Sequence, residues 1–365
     1  MMEGTRMKLR KLAALTMAGV LAAAGLSACG GGSAPDTGAA AEAGESKGQA
    51  LAGDNAEPDV VLQVAFENSG SEPVGAGWEK AQELIRQKSG GTMAIEIYPD
   101  SQLGDKSSLI DSMLLGENVC TLADGAFYAD YGVPDFGIVF GPFLFDSWEQ
   151  CWTLTESDWY KEQCAKLEEK GLKILSSNWV YGERHILTTK PVNTVEDLSG
   201  MKIRVPSNEI QSIGFDVLGA TSTGMSLGDV YQALQTKTID GAENPLATLY
   251  GRKLHEVAPY LILDGHVKNF TTWVCSADWF NSLTAEQQQW LVETVEEAGE
   301  YNNQVQEAAD KEYLQLMKDE GVTVVEPSEE VLKGFKEKAQ AFYTMGDRFG
   351  WSQGLYDTVK EAMGE

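Results

Sequence analysis

From Asp59 to Asp124 short apolar runs alternate with helical stretches, and this alternation restricts the fold more than any other feature of the chain. Asp59 to Phe66 reads as a strand, and Gly77 to Lys88 as a helix stopped by Gly90 and Gly91. Met93 to Tyr98 alternates apolar and polar residues and predicts a second strand. A helix near Ser107 to Leu115 and a strand at Val119 to Asp124 complete the unit. A β-α-β-α-β order implies a largely parallel sheet, because a parallel crossover needs about a helix's length of chain. Further strands are expected at Leu172 to Ser176, His185 to Thr189 and Met201 to Val205, with helices near 147–170, 207–218 and 228–236. Tyr260 to Asp264 and Phe270 to Ser276 read as strands that cross between two bodies.

Two bodies follow from size. The roughly 308 residues from Pro58 onward exceed one ordinary core and suit two lobes. The expected division is 59–181 plus about 271–300 for lobe I, and 182–270 plus about 310–365 for lobe II. The last third carries the element that joins them. Thr284-Ala-Glu-Gln is a capping-box start, and no proline interrupts the chain from there to Glu320. Leu291, Val295, Ala298, Val305, Ala309 and Leu316 recur near the helical period, with Gly299 as the one weak point. The apolar positions keep no strict heptad, so a bridging helix over about 284–320 is favoured over a coiled coil. Val322 to Val325 is a final strand, followed by two helices.

The N-terminus bears on location. Arg6, Lys8, Arg10 and Lys11 precede an apolar stretch from Leu12 to Leu26, and Leu26-Ser27-Ala28-Cys29 has the form of a bacterial lipobox. The apolar stretch is shorter than the roughly 20 residues of a spanning helix. Residues 1–28 are expected to be a lipoprotein signal peptide, with Cys29 lipidated and holding the protein outside the cytoplasm on the cell membrane; a plain N-terminal anchor is the alternative. Residues 30–57 lack aromatic residues and are expected to form a disordered tether with a mean reach of roughly 30 Å. Removing the +3 of residues 1–28 from the −27 of the whole chain leaves −30, which argues against nucleic acid and against anionic lipid surfaces as partners. The bilayer is met through the Cys29 lipid alone. Cys120, Cys151, Cys164 and Cys275 include no Cys-x-x-Cys pair; Cys151 and Cys164 could form a disulfide, or all four could be small buried residues.

Candidate chemistry concentrates between Glu183 and His266. Arg204 ends a short strand and Pro206 stops the ladder, which sets the side chain at the strand edge where open α/β sheets bind ligands. The planar guanidinium suits a carboxylate by two parallel charge-assisted bonds. Asn244 precedes Pro245, which suits an extended residue before a helix start. A surface salt bridge for Arg204 and a plain N-cap for Asn244 are the competing readings. Trp179 and Tyr181 read equally as cleft wall and as core. Gly219 to Ser226 has P-loop glycine spacing, but Met225 stands where the phosphate-binding lysine is required. His185, His255 and His266 are too scattered to suggest a metal set, and no nucleophile elbow is present. No metal, cofactor or catalytic residue is expected.

The motifs in this block resemble the TRAP-transporter solute-binding proteins of the DctP type. The resemblance rests on Asp197 to Pro206, Leu218 to Met225, Asp229-Val-Tyr-Gln-Ala-Leu-Gln-Thr236, Asp240-Gly-Ala-Glu-Asn-Pro245 and His255 to Leu261. It extends upstream through Tyr98 to Gly104 and Gly141 to Phe145, and spans nearly all of the chain from 59 onward. It implies an α/β, two-lobed, periplasmic-binding-protein-like fold with the ligand cleft between the lobes. It implies that Arg204 forms the salt bridge to a ligand carboxylate, that Arg184 is a second anion contact, and that Asn244 is a hydrogen-bonding partner. Asp124 falls where sialic-acid-binding members place a glutamate, and Glu67 follows the first strand where those members carry asparagine. Leu227 stands where many members have an aromatic residue, and Ser222 and Gly224 replace two prolines. A non-aromatic wall with two acidic residues suits a hydroxylated acid or an acid bearing an amine.

The expected function is an extracytoplasmic, monomeric solute-binding protein, not an enzyme. It would capture a small organic acid and deliver it to the membrane permease subunits of a TRAP transporter. A binding protein that feeds a sensor kinase, or a two-lobed extracellular enzyme, would share this outline.

Overall fold

The computed structural model describes residues 57–365. The expected signal segment, Cys29 and the tether up to residue 56 lie outside the described residues. The opening β-α-β-α-β unit folds in the order read: β1 (Val60–Ala65), α1 (Pro73–Ser89), β2 (Met93–Tyr98), α2 (Lys106–Leu114) and β3 (Val119–Ala123), with β1 parallel to both β2 and β3. Next come α3 (Gly125–Asp130), a 3-10 segment (Pro134–Phe140), α4 (Trp148–Glu156) and α5 (Asp158–Glu169). The expected single helix over 147–170 is two, because Ser157 is extended and caps α5 through its side chain.

β4 (Leu172–Thr188) is one strand of 17 residues where two short ones were expected. Its register against the later strand shifts four times, which erases the period-2 pattern that marks a strand in sequence. Gly182, with φ 128°, occupies one of these irregularities and lies so close to Pro245 that a side chain there would collide with it. Then follow β5 (Lys202–Val205), α6 (Glu209–Leu218), β6 (Thr221–Gly224), α7 (Val230–Gln235), β7 (Gly241–Pro245) and α8 (Leu246–Gly251). Asn244 is therefore a strand residue, and Pro245 takes the cap position of α8. β8 (Tyr260–Ser276) is again one 17-residue strand and pairs antiparallel with β4 along nearly its whole length. The chain ends with α9 (Ala277–Ser282), α10 (Ala285–Asp319), β9 (Thr323–Val325), α11 (Glu329–Tyr343), α12 (Gly346–Phe349) and α13 (Leu355–Ala362).

The described strands join in the order β2-β1-β3-β8-β4-β7-β5-β6, with β9 on the far part of β8. The long pair β8 and β4 thus forms the middle, with one parallel set on the β3 side and another on the β7 side. The C-terminal helices divide between the two sides. Phe335 and Ala339 pack with Ile186, Ile203 and Phe215, whereas Phe342, Trp351, Leu355 and Val359 join Phe136, Leu154 and Leu167.

α10 begins with the expected capping box, in which Thr284 and Gln287 satisfy each other's backbone N–H. It crosses β4 at Gly299, where an added Cβ would lie 2.2 Å from Asn178 Oδ1 and 2.7 Å from the Trp179 ring. The same crossing corrects the reading of Trp179 as a ligand-binding residue. It is fully buried, stacks on Trp78 at 5.6 Å, meets Trp273 edge-on at 5.2 Å and donates Nε1–H to the Val295 carbonyl at 2.9 Å. Tyr181, at the register shift between Val180 and Gly182, belongs to the same core and carries its hydroxyl to Asn68 and Thr248. The four described cysteines are free, so Cys151 and Cys164 form no disulfide.

Gly299 supplies a test of the helix–strand contact. In an exposed helix Gly→Ala stabilises by up to about 1 kcal/mol. Here the contact reverses the sign, and Gly299→Ala should cost about 1–3 kcal/mol through overpacking. A urea midpoint at or above the wild-type value would show that α10 and β4 are not in rigid contact.

Candidate functional site

A pocket opens where strands of both sides end, as expected for an open α/β sheet. Its walls include Glu67 and Asn68 after β1, Lys106 at the start of α2, Asp124 after β3, Tyr181 and Arg184 on β4, Arg204 on β5, Gln211 on α6, Leu227 before α7, Asn244 on β7 and Asn269 on β8. Six of the seven expected binding residues therefore meet in one place, and Trp179 is the exception.

The two arginines are in opposite electrostatic states. Arg184 faces Glu243 as a fork: Nε donates to Oε2 and Nη2 to Oε1, the second at 2.7 Å. Nη2 also donates to Asn244 Oδ1 at 3.0 Å, and Nη1 to Asn269 Oδ1 at 3.0 Å. Burial opposes the Arg184 charge, but Glu243 overrides it and holds the guanidinium pKa above its ordinary value. Glu243 in turn is held down to about 2, where Arg184 and His266 outweigh the burial that would raise it. His266 extends the chain, with Nε2 3.1 Å from Glu243 and Nδ1 2.8 Å from Asp264. Burial works against its positive charge, but the two carboxylates raise its pKa to about 9.

Among the described residues Arg204 has no such partner. It is 2% exposed, and Nε and Nη2 both donate to the carbonyl of Met225, at 2.9 and 2.6 Å. A guanidinium has five N–H donors, which leaves three without a protein acceptor among the described residues. Burial pulls its pKa down to about 10, partly offset by the more distant Glu67 and Glu243. It remains charged at neutral pH, and its free edge suits a carboxylate.

Neighbouring groups set the remaining polarity. Arg184 takes the oxygen of Asn244, so Nδ2 of Asn244 is left buried and unpartnered as a donor. Asn68 Nδ2 lies within hydrogen-bonding distance of Glu72 at 2.6 Å, the Tyr181 hydroxyl at 2.7 Å and the Thr248 hydroxyl at 3.1 Å, which directs its oxygen away from that cluster. Burial raises the Asp124 carboxyl above its usual range, against Lys106 and Arg184. Burial likewise lowers the Lys106 ammonium, against Asp124 and Glu67. Lys106 Nζ stands 4.5 Å over the Phe127 ring.

Contacts across the two sides close the pocket mouth. Glu67 Oε1 accepts from the Leu227 N–H at 3.1 Å, and Asp105 Oδ2 accepts from the Ser226 hydroxyl at 3.0 Å. Arg252 reaches from the end of α8 to Asp100 at 2.9 Å and to the Glu67 carbonyl at 3.3 Å.

Sequence reasoning missed Asn68, Lys106, Gln211 and Asn269. Lys106 carried a signal, since a cation in the first turn of a helix opposes the helix dipole and needs another reason to be there. Glu243 lay inside a quoted motif but gave no hint of its partner. Two of the three histidines, His185 and His266, approach the same carboxylate, Asp264, at 4.0 and 2.8 Å, whereas His255 stands apart and pairs with Glu320 at 2.8 Å.

With this geometry in hand, comparison with known proteins is decisive. The model of the bacterial extracellular solute-binding protein family 7, DctP, matches residues 64–347. The chain belongs to that family. The C4-dicarboxylate-binding periplasmic protein DctP of Rhodobacter capsulatus is 28% identical over 73% of this chain and 80% of its own length. A TRAP periplasmic solute-binding protein from Ochrobacterium anthropi with bound L-fuconate is 37% identical, with a TM-score of 0.80 over 83% of this chain and 99% of its own. Another, from Actinobacillus succinogenes with bound L-galactonate, is 34% identical, with a TM-score of 0.78 over 83% of this chain and 99% of its own. The two-lobed architecture is thus that of this family.

The buried charge chain makes stability depend on pH. The folded pKa of His266, about 9, lies above the ordinary 6.5. Its contribution is complete below about pH 6.5 and is lost as pH rises through about 9. The shift corresponds to up to about 3 kcal/mol. Urea unfolding from pH 6 to pH 10 should show this loss in wild type and a much flatter profile in His266→Gln. Parallel profiles would mean that His266 carries no charge in the folded protein.

Proposed function

We propose that this chain captures a small hydroxylated monocarboxylate outside the cytoplasm and delivers it to the permease of a TRAP transporter. The observation that carries the reading is Arg204, a buried cation with three unmet N–H donors at the edge of a polar pocket. A ligand carboxylate would satisfy the fork, and Asn244 Nδ2 and the remaining Nη1 proton of Arg184 would add single hydrogen bonds. Asp124 and Glu67 supply acceptors, and Leu227 a wall too small to stack on a ring. Such a set suits a chain of hydroxyls better than a second carboxylate. L-fuconate and L-galactonate, bound by the two similar solved structures, are acids of this class.

In this reading the protein holds its ligand and does not transform it. Glu243, a buried acid of the charge network, is engaged in static pairs with Arg184 and His266. The parallel sets on the two sides of β4 and β8 act as the lobes, with boundaries near 59–181 plus 271–300 and 182–270 plus 310–365. Ligand contacts made only in the closed state shift the population towards closure. The closed monomer then docks on the permease. We assign residues 1–28 to a signal peptide and Cys29 to the lipid anchor. Fractionation of cells expressing Cys29→Ala should find the protein folded and released from the membrane; retention would make the apolar segment itself the anchor.

Titration calorimetry with L-fuconate and L-galactonate tests the anchor. Arg204→Ala should lose roughly 3–5 kcal/mol of binding, because the carboxylate would be buried unpaired. Arg204→Lys should also bind poorly, since a point charge does not reproduce the fork. Arg184→Ala should cost less if its ligand contact is one hydrogen bond, roughly 1.5–3 kcal/mol. Wild-type affinity in a folded Arg204→Lys protein, or equal binding of the uncharged amide of the ligand, would rule out the carboxylate anchor.

A further inference from the structure

We infer that Gln211 is a specificity-determining residue that reads one hydroxyl of the ligand's carbon chain, an inference that rests on the hydroxylated-acid reading above. Gln211 is 4% exposed and lines the pocket, yet its Oε1 is buried without a hydrogen-bond partner. No protein group among the described residues accepts from its Nε2 either. Buried side-chain amides are nearly always hydrogen-bonded, so this one is placed for a group that arrives from outside the chain. Its backbone is well held: Gln211 stands in the first turn of α6, and its N–H donates to the capping Asn208 Oδ1 at 2.8 Å.

The neighbours of Gln211 on α6 explain how it reaches the ligand. α6 follows β5 on one side of the sheet, but Ile210 and Ile213 pack with Ile138, Val139 and Phe140 on the other. The fit is close enough that a Cβ at Gly137 would lie 2.7 Å from Ile210 Cδ1. The apolar pair therefore seats the helix on the opposite wall when the pocket is closed, and Gln211 is carried in with it. Its amide offers both donors and an acceptor, and a hydroxyl is the ligand group that can use either. The carboxylate is already provided for by Arg204, so the amide is left to discriminate along the chain.

The test pairs changes in protein and ligand. Wild type, Gln211→Leu and Gln211→Met, the last keeping side-chain length should leucine impair folding, are titrated with L-galactonate, L-fuconate and a series of monodeoxy hexonates. For one deoxy position wild type should bind about tenfold or more weakly than the parent acid. Both variants should show a loss of similar size towards the parent acid and no further loss with that deoxy acid. Losses that simply multiply at every position would overturn the inference, and would place a bound water at the amide instead. A wild type that binds a C4-dicarboxylate and none of the hexonates would overturn it while leaving the organic-acid reading intact. A wild type that binds no carboxylate would overturn both.

Discussion

Everything distinctive about this pocket depends on one buried charge being left without a counter-ion. Taking a guanidinium out of water costs several kcal/mol unless an anion compensates. Arg204 is buried at the end of β5, and among the described residues only the Met225 carbonyl accepts from it. The acids within reach are committed or held apart: Glu243 belongs to Arg184 and His266, and Glu67 accepts from the Leu227 backbone. Under the proposed function, the unmet donors of Arg204 are the partner for an incoming carboxylate, and contacts made with it shift the protein towards closure.

The neighbouring arginine shows the contrasting use of the same side chain. Arg184, Glu243, His266 and Asp264 form a continuous buried chain across β4, β7 and β8. A satisfied network of this kind is rigid, and breaking one member leaves another charge exposed to low dielectric. Its role is to hold geometry: it pins the oxygen of Asn244, so that only the nitrogen is presented to the pocket. The long strands β4 and β8 provide the base on which this is built, and α10 braces them where Gly299 admits the Trp179 ring.

The parts legible in sequence were those set by local rules. The β-α-β-α-β order, the Thr284 capping box and the unbroken run to Glu320 follow from periodicity and capping, and all three appear in the structure. Arg204 could be placed at a strand end because Pro206 stops the ladder two residues later. The unread parts depend on tertiary contacts. The bulges of β4 hid its continuity, and Trp179 lies in the core while Tyr181, of the same core, also lines the pocket. Asn68 and Gln211 are ordinary polar residues until closure sets them in one wall. The pairing of Arg184 with Glu243 links residues 59 positions apart, with no spacing rule to announce it.

The central claim is that Arg204 is uncompensated and Arg184 is not, and the stability of the ligand-free protein tests it most directly. Replacing each arginine with methionine keeps much of the apolar volume and removes the charge. Urea unfolding without ligand should show Arg204→Met at or above wild-type stability, because a desolvated cation has been removed. Arg184→Met should lose roughly 3–5 kcal/mol, because Glu243 is left buried and without its main partner. A loss of similar size in both variants would mean that Arg204 already has its partner in the ligand-free protein, and would contradict the account.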